Sequence, residues 1–231
     1  MTAGKTYIVH RWLSPPHPCW RSSLSSSLVT VFLESERTRA PGGVRINIGS
    51  AARRFSVPVV NLDLFPGDQV DIAGDALQLP LAPASVDTVI CTGVLEHLPD
   101  PSAAVLEIVR VLKPGGRVYA ETPFMQTYHA SPGDYHRWTF QGLAWIFHDF
   151  EILEIRVASG PASALAWQLQ QTAAMLFSFR SDFIYRVGLR IFGWLAVPVA
   201  WLDIFLEQHP SSRNAASGFA LIARKPEKES T

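Results

Sequence analysis

Between residues 44 and 123 the chain alternates short apolar runs with turn residues, and this alternation sharply limits what it can fold into. "RINI" runs into Gly49, "VPVVNLDL" (57–64) ends near Asp63, "QVDIA" (69–73) leads into "GDALQLPL", and "SVDTVICT" (85–92) stops at Gly93. "RVYAETPF" is the fifth such run. Short runs rich in Val and Ile, bounded by Gly, Pro and Asp, are strands. Between the fourth and fifth lies "DPSAAVLEIVRVL", where Val105, Leu106, Ile108, Val109 and Leu112 form one apolar stripe at helical spacing. Asp100 is its expected N-cap. Pro101 takes the first helical position, where its missing N–H costs nothing.

Strands that alternate with helices make a mostly parallel sheet covered on both faces. Ligands of such sheets sit at the carboxyl ends of the strands. Asp63, Asp75, Thr92 and Pro123 fall there, far apart in sequence and converging in space. Downstream, "TFQGLAWIFHDF" reads as a helix, with strands in "FEILEIRVAS" (150–159) and "SGFALIARK" (217–225). "SLSSSLVTVFLESE" (23–36) reads as a short helix after an irregular arm, and "PEKEST" as a frayed tail.

Charge and cysteine usage narrow the function classes. Lys plus Arg and Asp plus Glu both number 20, so the formal net charge is zero. There is no basic excess to neutralise a phosphate backbone, and no nucleic-acid partner is expected. Cys91 lies in an apolar strand run and reads as a buried, reduced thiol, far from Cys19. That use fits a reducing compartment. No signal peptide is read at the N-terminus, so the expected location is the cytoplasm or, peripherally, the inner face of a membrane.

The segments "DALQLPLAPASVDTVICTGVLEHLPDP" and "VLKPGGRVYAETP" together resemble the class I S-adenosylmethionine-dependent methyltransferases, in the branch called type-11 methyltransferase domains. The resemblance covers about residues 44–160. It implies a Rossmann-like, doubly wound α/β sheet of seven strands in the order 3-2-1-4-5-7-6, the last strand antiparallel. It also implies S-adenosylmethionine as cofactor. Carried over to this chain, the cofactor residues are Asn47, Gly49, Ser50, Asp63, Asp75, Ala76, Thr92 and Gly93. The glycine turn would hold the methionine end, Asp63 the ribose diol and Asp75 the adenine.

Three departures stand out. Asn47 replaces the usual acid of the first motif, and Ala51 and Arg53 stand where further glycines are usual. Only 13 residues separate Gly49 from Asp63, too few for a strand and a normal crossover helix, so a clipped turn is expected. The segment before residue 44 would then cover the exposed sheet face. The third departure is a stretch of 57 residues between the last two strands.

The loop "PFMQTYHASPGDYHRWTFQGL" (123–143) overhangs the cavity if the fold is right. Methyl transfer is one displacement, and alignment with exclusion of water does most of it. A hydroxyl acceptor benefits from a base, a task suited to histidine. His129, His136 and His97 are the expected catalytic residues, with Tyr135 orienting the substrate. No metal is expected, because no helical spacing sets His129, Asp134 and His136 as ligands.

"SALAWQLQQTAAMLFSF" (163–179) and "FIYRVGLRIFGWLAVPVAWLDIFLEQ" (183–208) read as two aromatic helical stretches. Ile191 to Leu202 is uncharged, but a span needs about 20 such residues. A lid over the cavity is the first reading, shallow membrane insertion through Trp194 and Trp201 the second, and a homodimer surface the third. The expected division is an arm and helix at 1–42, a methyltransferase core at 43–160 plus 215–226, and a helical insertion at 161–214. The expected acceptor is a small molecule, a saccharide or a lipid-linked intermediate, methylated at oxygen. The competing reading is a non-catalytic protein of this fold that binds a partner or membrane through its C-terminal helices.

Overall fold

The computed structural model describes residues 23–50 and 53–227; the expected arm at 1–22, Ala51 and the end of the tail lie outside them. Seven strands form one sheet in the order β3-β2-β1-β4-β5-β7-β6. They are β1 (Arg45–Ile48), β2 (Val60–Asp63), β3 (Ile72–Ala73), β4 (Val86–Thr92), β5 (Leu112–Pro123), β6 (Glu151–Ser159) and β7 (Gly218–Arg224). β1 pairs in parallel with β2 and β4, and β7 runs antiparallel to β5 from Arg117↔Arg224 to Pro123↔Gly218. This is the order expected from sequence. The fifth strand differs in its start. It begins at Leu112, directly after helix α2 (Pro101–Val111), and the "KPGG" turn is taken up into it.

α2 starts as its sequence dictates: Asp100 accepts a hydrogen bond from the Ala103 N–H, and Pro101 follows. Its stripe of Val105, Ile108 and Val111 is buried, and the helix expected after residue 138 is α3 (Phe140–Ile146). On the other side of the chain's first strand, residues 53–59 form no helix. That leaves sheet surface to cover, and α1 (Ser23–Arg39) covers it. Val29, Phe32 and Leu33 pack with Val57, Ile90, Tyr119 and Ala220 in one core cluster. α1 therefore belongs with the sheet in one compact unit and not with a separate arm.

The second compact unit holds Ser159–Ser217 and Met125–Thr127. Helices α4 (Pro161–Leu176) and α5 (Asp182–Ala200) pair closely, because Gly188 lets α5 approach the backbone of Ala174. Phe177 stacks on Phe192 with ring centroids 5.5 Å apart, and Ala166, Ala196 and Ala200 form the small-residue contact. Asp203, on the short α6 (Asp203–Leu206), caps α4: its two carboxylate oxygens accept from the N–H groups of Ala162 (2.7 Å) and Ser163 (2.8 Å). Beside it, burial and the Asp203 charge push the Glu207 carboxyl up to about 7. A raised acid favours the folded state while protonated, so this contribution is complete below the ordinary value of 4.5 and is lost as pH rises to about 7. Urea titrations of the protein should show stability falling across that window by on the order of 1–2 kcal/mol, after discount for solvent screening, and Glu207→Gln should flatten the fall.

The outward faces of this unit are apolar. Phe183 is 76% exposed and Phe205 75%, and Leu176, Phe179, Leu195 and Ile204 are exposed as well. Asp182–Leu206 has a mean hydropathy of 1.7 over its best window, of which only 22% is buried, and is long and apolar enough to cross a membrane by length and composition. The sequence estimate stopped at the 12 uncharged residues from Ile191 to Leu202 and understated this face.

Candidate active site

The carboxyl edge of β1, β2 and β4 carries the residues singled out from sequence. Register sets Ile48 beside Leu62 on one side and Cys91 on the other, so Gly49, Asp63 and Thr92 follow at one edge. Asp75 lies two residues beyond Ala73, the neighbour of Asp63. Gly49 has a left-handed φ of +65°, and a Cβ there would overlap Val94, so no other residue fits. Asp63 Oδ1 accepts from the Phe65 N–H and Asp75 Oδ1 from the Leu77 N–H, each closing a tight turn. Asp75 is exposed and Ala76 half-buried beside it. Gly93 has φ +67° and is exposed.

The edge suits a molecule with a diol and an amino donor: it offers two carboxylates and a glycine turn. The Ser50 hydroxyl is buried at that turn without a hydrogen-bond partner among the described residues, which leaves a donor unspent. Two residues depart from expectation. The Asn47 side chain is buried and its Nδ2–H donates to Asn61 Oδ1 at 3.0 Å, so it ties β1 to β2 through its donor end. Arg53 reaches from the clipped turn to donate to Thr92 Oγ1 at 3.2 Å, a contact that sequence reasoning missed. Cavities of about 180 Å³ beside α1 and about 280 Å³ against residues 54–61 do not include these strand-end residues.

Beyond β4 the chain makes one 3-10 turn, Leu95–His97, and the loop after β5 docks on it. The Tyr135 N–H donates to the Glu96 carbonyl at 2.7 Å, and His97 Nδ1 lies 2.6 Å from the Gly133 carbonyl, an acceptor that fixes the proton on Nδ1. Asp134 staples the loop. It accepts from Arg137 (2.5 and 2.7 Å) and from the His129 N–H (2.8 Å), and the guanidinium holds its carboxyl well below the usual range. Two of the expected catalytic histidines thereby meet: the His97 and His129 rings stand edge to face, 5.4 Å between centroids. Glu96 joins them, 2% exposed, with Oε1 3.9 Å from Nε2 of each. The signal for Glu96 was its place beside His97 in "LEHLPDP".

The other two expected residues go elsewhere. The His136 ring packs on Trp138 at 5.5 Å with Nε2 buried, and it lies outside the histidine pair. Tyr135 is 59% exposed because its backbone is held by Glu96 while its ring lies over Gly133. His136 is part of the loop's own packing.

A seven-stranded sheet in this order, with acids ending the second and third strands beside a left-handed glycine, defines the class I methyltransferase architecture. Residues 50–120 match the family described as Methyltransferase domain. The ubiquinone biosynthesis O-methyltransferase of Xylella fastidiosa (strain M23) is 45% identical over 90 residues, covering 32% of this chain and 37% of that protein. The chain thus spans little more than a third of that curated relative. Among solved structures, the [4+2]-cyclase SpnF superposes with a TM-score of 0.53 at 22% identity, over 87% of this chain and 81% of that one. The 1,6-didemethyltoxoflavin-N1-methyltransferase of Burkholderia thailandensis, solved with 1,6-didemethyltoxoflavin and S-adenosylhomocysteine, superposes with a TM-score of 0.51 at 16% identity, over 90% and 81%. Residues 50–120 are thus similar to a methyltransferase domain, and the sheet around them has the class I methyltransferase order. A cyclase among its likenesses is a reminder that fold alone does not fix chemistry.

Proposed function

We propose that the protein transfers a methyl group from S-adenosylmethionine to an oxygen of a small-molecule, saccharide or lipid-linked acceptor. The observation that carries this reading is the convergence of Gly49, Asp63, Asp75 and Thr92 on one sheet edge. Asp63 would accept from the ribose diol, Asp75 and Ala76 would meet the adenine, and Gly49 and Ser50 would take the methionine end. The cofactor, when bound, supplies an electrophilic methyl group. The chain's task is then to align an acceptor, keep out water and relieve the acceptor oxygen of its proton. The Glu96, His97 and His129 cluster is the proposed place for that oxygen. An oxygen acceptor is favoured by these proton-accepting groups and by the O-methyltransferase named among the relatives. Calorimetry with S-adenosylhomocysteine tests the reading, with micromolar binding expected; no binding by the intact chain would sink it and favour the non-catalytic alternative.

The exposed face of α4–α6 supports a second element, docking on an anionic membrane surface. Between residues 161 and 206 the acids are Asp182 and the buried Asp203, against Arg180, Arg186 and Arg190. Half-exposed Trp194 and Trp201 suit the headgroup boundary. Phosphatidylglycerol-containing vesicles should float the protein, more weakly in high salt. Trp194→Ser with Trp201→Ser should cut the bound fraction by about 10-fold. No flotation, or dimerisation without flotation, rejects the membrane as occupant.

A further inference from the structure

We infer that Glu96, His97 and His129 form a site for a borderline divalent cation. The sequence expectation was of no metal, and it weighed a different set of residues. Here Glu96 Oε1, His97 Nε2 and His129 Nε2 lie within 4.8 Å of one another. His97 donates its Nδ1 proton to Gly133, so its Nε2 presents a lone pair. The nearest approach of either imidazole to the carboxylate is 3.9 Å, too long for a hydrogen bond. Glu96 Oε2 is buried with no partner among the described residues. A buried carboxylate with one orphan oxygen, facing imidazole nitrogens it does not hydrogen-bond, is costly unless something positive joins them.

A divalent cation answers that arrangement. Two imidazole nitrogens and one carboxylate oxygen are the donors of first-row metals such as Zn²⁺ and Mn²⁺, in preference to Mg²⁺ or Ca²⁺, which favour all-oxygen sites. Ligand atoms around a tetrahedral cation with bonds of about 2.1 Å stand roughly 3.4 Å apart, so each Glu96–imidazole distance of 3.9 Å needs to close by about half an ångström. The outer partner that orients an imidazole ligand is already in place for His97. His97 Nδ1–H has the Gly133 carbonyl, whereas His129 Nδ1 faces the Arg137 guanidinium at 3.4 Å and Asp134 Oδ2 at 3.8 Å, so ligation through His129 Nε2 requires its proton to move to Nδ1, toward Asp134. Three protein ligands leave an open position. An oxygen entering there is polarised and its hydroxyl made more acidic. That use of the cation rests on the methyltransferase reading; the binding does not.

The test is equilibrium dialysis of the tag-free full chain, stripped with EDTA, against ZnCl₂ and separately MnCl₂. About one tightly held cation per chain is expected. His97→Ala and Glu96→Gln should each weaken it by roughly 10–100-fold, whereas His148→Ala, on an exposed imidazole, leaves it unchanged. Melting in EDTA confirms that the variants fold. The wild-type chain needs no such control: failure to retain either cation overturns the site, as does equal retention by His97→Ala and Glu96→Gln. Loss of S-adenosylhomocysteine binding with the cation retained would overturn the functional reading and leave the site standing. Cofactor binding without any cation would do the reverse.

Discussion

Asp63→Ala should weaken S-adenosylhomocysteine binding by about 100-fold, with the cation site untouched. The carboxylate ends β2 beside the β1 turn, and its Oδ1 accepts from the Phe65 N–H. In the proposed complex it accepts two hydrogen bonds from a diol. Hydrogen bonds to a charged acceptor contribute about 1.5–3 kcal/mol each, and a 100-fold loss corresponds to about 2.7 kcal/mol, so even partial pairing meets the prediction. Asp63→Asn keeps one acceptor oxygen and can keep the turn, so it should lose about 10-fold. Calorimetry on both variants, beside their melting temperatures, separates a lost contact from a damaged fold. If Asp63→Ala binds within a few-fold of wild type, the diol is held elsewhere and the assignment of this edge is wrong. Arg53 gives a second readout of the same edge. Its guanidinium donates to Thr92 Oγ1, so Arg53→Ala should change affinity without changing the Asp63 ratio.

The sheet could be read from sequence because its signals are local. Runs such as "RINI" and "SVDTVICT" carry the strand pattern in themselves, and Asp100 with Pro101 marks the start of α2 wherever the helix packs. The strand-end residues followed from the order of strands. What could not be read depends on contacts across long stretches of chain. That Asn47 also ties β1 to β2 depends on Asn61, 14 positions on, which accepts its Nδ2–H. Tyr135 and His136 were indistinguishable from His129 in a loop of polar residues. The difference comes from Asp134 gripping Arg137 and the loop docking on Glu96, 39 residues earlier. The clipped crossover was visible as a length, and so was the need for something to cover the sheet. That α1 does so through Phe32 against Tyr119 was not visible, since their 5.3 Å ring contact joins residues 87 apart.

Glu36→Ala should cost about 3–5 kcal/mol, the largest stability loss expected of any single change in the sheet unit. Glu36 sits on α1 with 0% exposure, a position acids almost never take unless paired. It is paired three ways. Arg39 donates to it at 2.5–2.9 Å, Arg117 lies 3.3 Å away on β5, and the Thr88 hydroxyl on β4 donates at 2.8 Å. The Glu36 backbone carbonyl accepts from buried Arg45 on β1 as well. One side chain thus joins the covering helix to the middle of the sheet. Its removal would leave Arg39, Arg117 and Thr88 facing a void, and the penalty is mostly that of the partners left unpaired. Against a typical total stability of about 5–15 kcal/mol, such a loss would leave much of the chain unfolded at moderate urea. Urea midpoints for Glu36→Ala, Arg39→Ala and the double variant form the decisive cycle. The double should cost clearly less than the sum of the singles, because Arg39 no longer needs its partner. A loss below about 1 kcal/mol in Glu36→Ala would mean that apolar packing of Val29, Phe32 and Leu33 alone holds α1 to the sheet. That outcome would also change the account of the clipped crossover. The helix would then be a general apolar cover, replaceable by any amphipathic segment, and the buried ion network would set only its register.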